Sequence, residues 1–261
     1  MSDSYLRGLF GLEGRTAIVI GATGVLGGAI AEGLAQAGAN VVVSGMNEGR
    51  GSAQAVRIQE LGGEAIFQPV DAVSRASLTK LKDVTLEKFG SIDMLVNCAG
   101  VNSSVPYEEI TEEDWDRVIA TNLTGTHLAC QIFAPLMAEQ PDGGSILNIG
   151  SVTAHLPLSR VYAYSASKAA VVNLSQNVAR EYATRKVRVN VLCPGFFPAE
   201  QNRKILDQDR VSNIMAQTPM KRFGEPEELV GAAITLLSPK AGSFITGATI
   251  YVDGGFTSMR F

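Results

Sequence analysis

Seven short apolar runs recur along this chain, at residues 17–20, 40–44, 65–70, 94–98, 145–149, 188–193 and 249–252, and they are rich in Val and Ile. Hydrophobic residues stand at successive positions rather than alternate ones, so a strand built from such a run must be buried on both faces. Between the runs lie helix-length segments, among them 74–89 and 112–138. Parallel strands with crossover helices on both faces satisfy that alternation, and right-handed crossovers wind it in both directions from the middle. The predicted fold is therefore α/β: a Rossmann-type, doubly wound parallel sheet of about seven strands, with ligands bound at the carboxyl ends of the strands.

The chain has 261 residues, and no Pro/Ser-rich linker or charge block divides it, so one domain over 1–261 is expected. One stretch breaks the rhythm: residues 196–219 are polar and helical in places, and read as an insertion covering a site. A formal net charge of −4 with no Lys/Arg cluster argues against nucleic acid or an anionic membrane, leaving a small molecule as the expected partner. The three cysteines, Cys98, Cys130 and Cys193, are odd in number and far apart. They read as reduced core thiols, which suits a cytoplasmic protein, and no metal site is expected. No export signal or apolar run of about 18 residues is present, so neither secretion nor membrane insertion is expected.

Directly after the first run comes Gly21-Ala22-Thr23-Gly24-Val25-Leu26-Gly27, with glycines three apart, opening a small-residue helix. In that context Gly21 suits a tight exit from the strand, Gly24 a close backbone approach to a pyrophosphate, and Gly27 packing of helix on strand. The N–H groups of the next helix would face the phosphates. On the loop alone, a tight turn without a ligand is the alternative.

Tyr164-Ser165-Ala166-Ser167-Lys168 adds chemistry. At helical spacing Tyr164 and Lys168 share a face. An ordinary phenol has a pKa near ~10, and an adjacent cation favours its ionised form, which would make Tyr164 a usable general acid/base. Ser151, thirteen residues earlier at the end of the fifth run, offers a hydroxyl to a substrate carbonyl. Asn122, inside the helix expected over 112–138, is a poor helix former whose amide is placed to hold a water beside Lys168. Tyr-x-x-x-Lys by itself is also an ordinary surface pair; the combination points to carbonyl chemistry.

The complete set resembles the short-chain dehydrogenase/reductase family over nearly the whole chain. The matching pieces are the glycine loop, Asp71 after the third strand, Asn97-Cys98-Ala99-Gly100 after the fourth, Asn122, Ser151, Tyr164 with Lys168, Pro194-Gly195 after the sixth, and Val252-Asp253-Gly254-Gly255. The resemblance implies an NAD(P)-dependent oxidoreductase with Asn122, Ser151, Tyr164 and Lys168 as catalytic tetrad. It implies cofactor contacts from Gly21, Thr23, Gly24, Val25, Leu26 and Gly27, from Asp71 and Ala72 at the adenine, and from Asn97, Ala99 and Gly100 as a brace. Tyr164 and Lys168 would lie at the nicotinamide ribose, and Pro194, Gly195 and Phe197 at the carboxamide. A homotetramer formed through the helices bearing Asn122 and Tyr164 is implied likewise.

Two departures stand out. The family usually spaces its glycines G-x-x-x-G-x-G, which would require Gly in place of Val25, and it often has Thr where Ala199 stands, so another group or a water must meet the carboxamide there. For cofactor choice, NAD-preferring relatives tend to carry Asp at Gly45 and NADP-preferring ones Arg at Met46. Neither is present, which leaves Asn47 and Arg50 as polar candidates and tilts the expectation toward NADP over NAD. Residues 155–164, 194–203 and 218–226 resemble the branch of D-mannonate oxidoreductases and gluconate 5-dehydrogenases, which implies a sugar-acid ketone as substrate. A carboxylate with several hydroxyls suits Arg forks and amides. His155, Arg160, Gln201, Asn202 and Arg203, together with Ser151 and Tyr164, are the candidates to hold it. Surface or intersubunit ion pairs are the alternative for Arg160 and Arg203, and a neutral loop role for His155. Trp115, His127 and the Phe196-Phe197 pair are expected in structural packing. The rival functions are 3-oxoacyl thioester reduction on an acyl carrier protein and non-catalytic NAD(P) sensing.

Overall fold

The computed structural model describes residues 3–197 and 208–258, and in it the seven runs form one parallel sheet in the order β3-β2-β1-β4-β5-β6-β7. The strands are β1 (Thr16–Ile20), β2 (Asn40–Gly45), β3 (Ala65–Pro69), β4 (Met94–Asn97), β5 (Gly144–Ile149), β6 (Val187–Pro194) and β7 (Thr249–Val252). Side chains alternate between two cores, as a strand period of two demands. Ala17, Val19, Val41, Val43 and Val96 join a layer closed by α2 (Val25–Gln36), α3 (Glu48–Glu60) and α9 (Val230–Leu237). Ile18, Ile20, Val42, Leu95 and Val189 face the opposite layer, closed by α4 (Arg75–Phe89), α6 (Gly125–Glu139) and α7 (Tyr162–Tyr182). Both faces are covered, which explains the unbroken apolar runs.

The chain leaves β1 in one direction along the sheet and β4 in the other, so a crevice opens between their carboxyl ends. Strand register brings the other loops to the same edge: Ile20 pairs with Asn97, Asn97 with Asn148, and Ile149 with Leu192. The turns after β1, β4, β5 and β6 therefore meet above the crevice.

Local signals set the helix ends. Ser74 caps α4 by accepting from Ser77 N, and Gly90 ends it in the left-handed region, φ 80°. The single helix expected over 112–138 is corrected. It divides into α5 (Glu112–Ile119), a π turn at Ala120–Thr124 and α6. At the amino end of β6, Arg188 donates to the carbonyls of Leu236, Leu237, Ser238 and Ile245 at 2.6–3.1 Å, closing the carboxyl end of α9. Burial pushes its pKa down to about 10. Between β6 and β7 lies α8 (Gln208–Gln217). Among the described residues, no helix is long and apolar enough to cross a membrane.

Candidate active site

At the β1 exit, Gly21 has φ +95°, and a Cβ there would lie 2.6 Å from Ala99 N, so glycine is required both by conformation and by the approach of the β4 loop. A Cβ on Gly27 would run into the Gly21 carbonyl, which is the close helix-on-strand packing expected of it. Gly24 is different. It caps α2, and a Cβ there would meet only Gly21 O at an ordinary 3.4 Å, so the protein's own packing leaves the space above it open. No acidic side chain occupies the first turn of α2, whose N–H groups lack intrahelical acceptors. These features fit the pyrophosphate of a dinucleotide.

At the end of β2, a Cβ on Gly45 would sit 2.6 Å from Thr23 Oγ1. Thr23 fills the place an acidic side chain would take. Asn47 caps α3, its Oδ1 accepting from Arg50 N at 2.9 Å, and Met46 is exposed. Asp71 accepts from Val73 N in a local turn, and Ala72 backs onto Gly125 at the start of α6. Asn97 ends β4 at the edge of the crevice. Its amide is buried and donates to Asn148 Oδ1 at 2.8 Å, while Asn148 donates to Ser175 Oγ, tying β4, β5 and α7 together. The loop it introduces, Cys98 to Gly100, carries the approach to Gly21.

Ser151 follows β5 and caps the 3₁₀ turn Val152–Ala154, its Oγ accepting from Thr153 N at 3.1 Å. Tyr164 lies in the first turn of α7 and borders the same cavity as Ser151. Lys168, one turn further, is buried and donates to Ile149 O at 2.8 Å, with Nζ 5.5 Å from the Tyr164 ring centroid. A Cβ on Gly100 would stand 3.3 Å from Asn122 Oδ1 and 3.6 Å from Lys168 Nζ, so this glycine lets the β4 loop close over both.

Asn122 sits in the π turn and makes three side-chain hydrogen bonds. Oδ1 accepts from Val101 N at 2.8 Å, and Nδ2 donates to Val101 O and to Ser167 Oγ, each at 3.0 Å. These bonds clamp the β4 loop to α7. Ser167, which the sequence reading passed over, completes the link by donating to Tyr164 O at 2.6 Å.

Electrostatics correct a second expectation. Burial is the largest influence on Tyr164 and raises its pKa, with the Ser151 hydrogen bond opposing; burial likewise lowers that of Lys168. Burial thus favours the protonated phenol over the phenolate. The thiols of Cys98, Cys130 and Cys193 are free and pushed up to about 11 by burial.

A cavity of about 610 Å³ opens over Ser151 and Tyr164. Asn102, Ser104, Thr153 and Arg210 line it, against a wall of Phe196, Phe197 and Phe223. Thr153 Oγ1 is buried with no partner among the described residues. Leu26, Gly100 and Gly195 also border the cavity, so the glycine loop and the catalytic candidates share one space. Arg160 does not join them. Its backbone is left-handed, φ 61°, and its exposed side chain borders a separate small depression with Ser103 and Asp114. His155 is exposed and meets Tyr251 edge-on at 6.4 Å, outside the cavity lining. Gln201, Asn202, Arg203 and Ala199 lie outside the described residues. Phe196 packs edge-on against Phe256 at 5.1 Å, while Trp115 and His127 are exposed, contrary to a core packing role.

A switch-point crevice, a glycine turn at a helix amino end, and Ser and Tyr lining one cavity with a buried Lys beside the Tyr define a nucleotide-dependent oxidoreductase. Residues 21–257 match the profile of a family described as enoyl-(acyl carrier protein) reductase, and the chain belongs to the short-chain dehydrogenases/reductases, NAD(P)-dependent enzymes acting on CH–OH groups. It is similar to the uncharacterized oxidoreductase UxuB of Bacillus subtilis, with 38% identity over 266 residues covering 94% of this chain and 95% of that one. Among solved structures it resembles a gluconate 5-dehydrogenase from Burkholderia cenocepacia in complex with NADP and tartrate, with 34% identity and a TM-score of 0.92, covering 98% and 100% of the two chains. A Haemophilus influenza protein assigned as a D-mannonate oxidoreductase, solved with bound NAD, matches at 31% identity and a TM-score of 0.91, covering 96% and 97%.

Proposed function

We propose that this protein reversibly reduces the ketone of a sugar acid, such as a keto-hexuronate or keto-aldonate, with NADPH preferred over NADH. The observation that carries the reading is that Ser151 and Tyr164 line one cavity, with buried Lys168 one helical turn from Tyr164. A bound reduced nicotinamide supplies the hydride. Ser151 donates to the carbonyl oxygen, and Tyr164, kept protonated by burial, delivers the proton to that oxygen. Lys168, anchored on Ile149 O, faces the ribose side, and Asn122 holds the β4 loop against α7 so that the distances persist.

In this reading Gly21, Thr23, Gly24, Val25, Leu26 and Gly27 cradle the pyrophosphate; Asp71, Ala72, Ala99, Gly100, Pro194, Gly195 and Phe197 flank the rest of the cofactor. Thr23 over Gly45 leaves no room for an acidic side chain, which favours a 2′-phosphate. The hydroxyls of Ser104 and Thr153 and the Asn102 amide suit a polyol, and the names of the similar proteins support a sugar acid. Assembly into a homotetramer through α5, α6 and α7, where Trp115 and Tyr162 are exposed, belongs to the same reading.

The test is turnover of NADPH and NADH against D-fructuronate, 5-ketogluconate and an acetoacetyl thioester. Reduction of a keto sugar acid in preference to the thioester supports the reading. Turnover of the thioester alone discards the sugar acid, and cofactor binding without any turnover discards the enzyme mechanism.

A further inference from the structure

We propose that Thr153 is a specificity-determining residue that selects ketones carrying a hydroxyl on a carbon next to the carbonyl; this rests on the sugar-acid ketone reading above. Five buried side-chain oxygens lack a hydrogen-bond partner among the described residues: those of Thr16, Ser44, Thr153, Ser165 and Thr249. Of these residues, Thr153 alone lines the cavity over Ser151 and Tyr164. Native proteins rarely leave a buried hydroxyl unpaired, since it gives up its bonds to water and gains none in return. At the wall of a substrate cavity, the substrate itself can bring the missing partner. Other polar groups of the same wall are already served. Ser104 and Asn102 are exposed and reach water, and Asn102 Oδ1 also accepts from Ser103 N at 2.8 Å.

The position of Thr153 tells which substrate hydroxyl it meets. Its backbone N–H donates to Ser151 Oγ at 3.1 Å, so the two hydroxyl-bearing residues are held together by the 3₁₀ turn and its cap. Ser151 keeps its own O–H for the ketone oxygen. With that oxygen at Ser151, the part of the substrate nearest Thr153 is the carbon beside the carbonyl and its substituent. The residue is 7% exposed and Oγ1 is closed off from solvent, so a turn about its Cα–Cβ bond to another staggered rotamer presents it to the bound ligand. A hydroxyl both donates and accepts, so the substrate hydroxyl and that of Thr153 pair in either sense. A 3-oxoacyl thioester has no hydroxyl beside its ketone and leaves Oγ1 unmet, which is how a site rejects an analogue lacking the group it is built to bond.

The test compares 5-ketogluconate with its 4-deoxy and 6-deoxy analogues, each lacking one of the two hydroxyls that flank the ketone. Wild type, T153V and T153S are assayed with NADPH, and each is melted without substrate. For T153V, kcat/KM on 5-ketogluconate is expected to fall roughly 5- to 100-fold, the scale of leaving one polar group unpaired. On one of the two deoxy analogues that fold-loss is expected to shrink toward one, because the wild type has there already lost the same contact. T153S keeps the hydroxyl and is expected to retain the preference for 5-ketogluconate. The melting temperature of T153V is expected to hold or rise, since the hydroxyl it removes has no partner to lose. An equal loss on all three ketones, whatever the melting temperature, overturns the role of Thr153 and leaves the sugar-acid reading intact, as does no loss on 5-ketogluconate. A wild type that reduces none of the three while turning over an acetoacetyl thioester overturns that reading and this proposal with it. If T153V does not fold, T153A, which also lacks the hydroxyl, decides by the same comparison of ketones.

Discussion

Tyr164→Phe isolates one oxygen. The ring keeps its place 5.5 Å from Lys168 Nζ, and Ser151 Oγ still accepts from Thr153 N. What the protein loses is one buried hydroxyl with its polar surroundings at Ser151, a change on the scale of a single hydrogen bond, about 0.5–1.5 kcal/mol net. For a chain of this size that corresponds to a melting shift of roughly 1–6 °C. Turnover loses far more. A positioned general acid contributes about 10²–10⁴ in rate, which is roughly 3–5.5 kcal/mol of barrier. Because burial raises the Tyr164 pKa, nearly every resting molecule carries the proton at neutral pH, so the loss should fall on kcat rather than on KM. The assay is NADPH consumption with a saturating keto sugar acid, beside NADPH fluorescence titration and a melting curve. Less than about a tenfold drop in kcat would refute the assignment of Tyr164 as the acid. A parallel loss of NADPH binding would show that the oxygen is structural.

The raised Tyr164 pKa also gives a pH sign. Alcohol oxidation needs the phenolate, so its kcat/KM should climb as pH rises toward that pKa, while ketone reduction should be flat and then fall over the same range; a rate of oxidation that peaks on the acid side contradicts the scheme. Gly21→Ala should cost about 1–2 kcal/mol for its left-handed backbone and more for pushing Ala99 away, seen as a lower urea midpoint and weaker NADPH binding; an unchanged midpoint would show that the turn relaxes freely. Arg188→Met strands carbonyls now served by a half-buried guanidinium and should lower stability by about 1–3 kcal/mol in urea titration, with kcat of the folded protein unaltered.

The sheet was legible because residues such as Val19, Val42 and Leu95 are apolar on both faces, and that pattern has few structural solutions. Thr249–Val252 was read to the residue, while other strand ends moved by a position or two where the ladder continues through polar or proline residues. The 112–138 helix was misread because apolar spacing does not register one extra residue in a turn, and that turn carries Asn122. The Ser151, Tyr164 and Lys168 trio was legible from spacing along one chain segment. Arg210 was not, since nothing in the sequence of a short polar helix says which cavity it borders. Nor does closeness along the chain fix a side chain's cavity: Arg160 is near Tyr164 in sequence, yet it has a left-handed backbone and borders a different depression.

Hydrophobic patterning and glycine placement by themselves determined the layers, the position of the dinucleotide turn and the helix face that carries Tyr164 and Lys168, because each depends on contacts only a few residues apart or on a burial pattern repeated along the strands. Only the tertiary structure decided that Asn122 clamps Val101 and Ser167, that Asn97 is spent on Asn148, that Thr23 fills the space beside Gly45, and that burial turns the Tyr164 pKa upward. Those outcomes depend on which distant groups compete for the same hydrogen bond, the same volume or the same water, and that competition exists only once the chain has closed on itself.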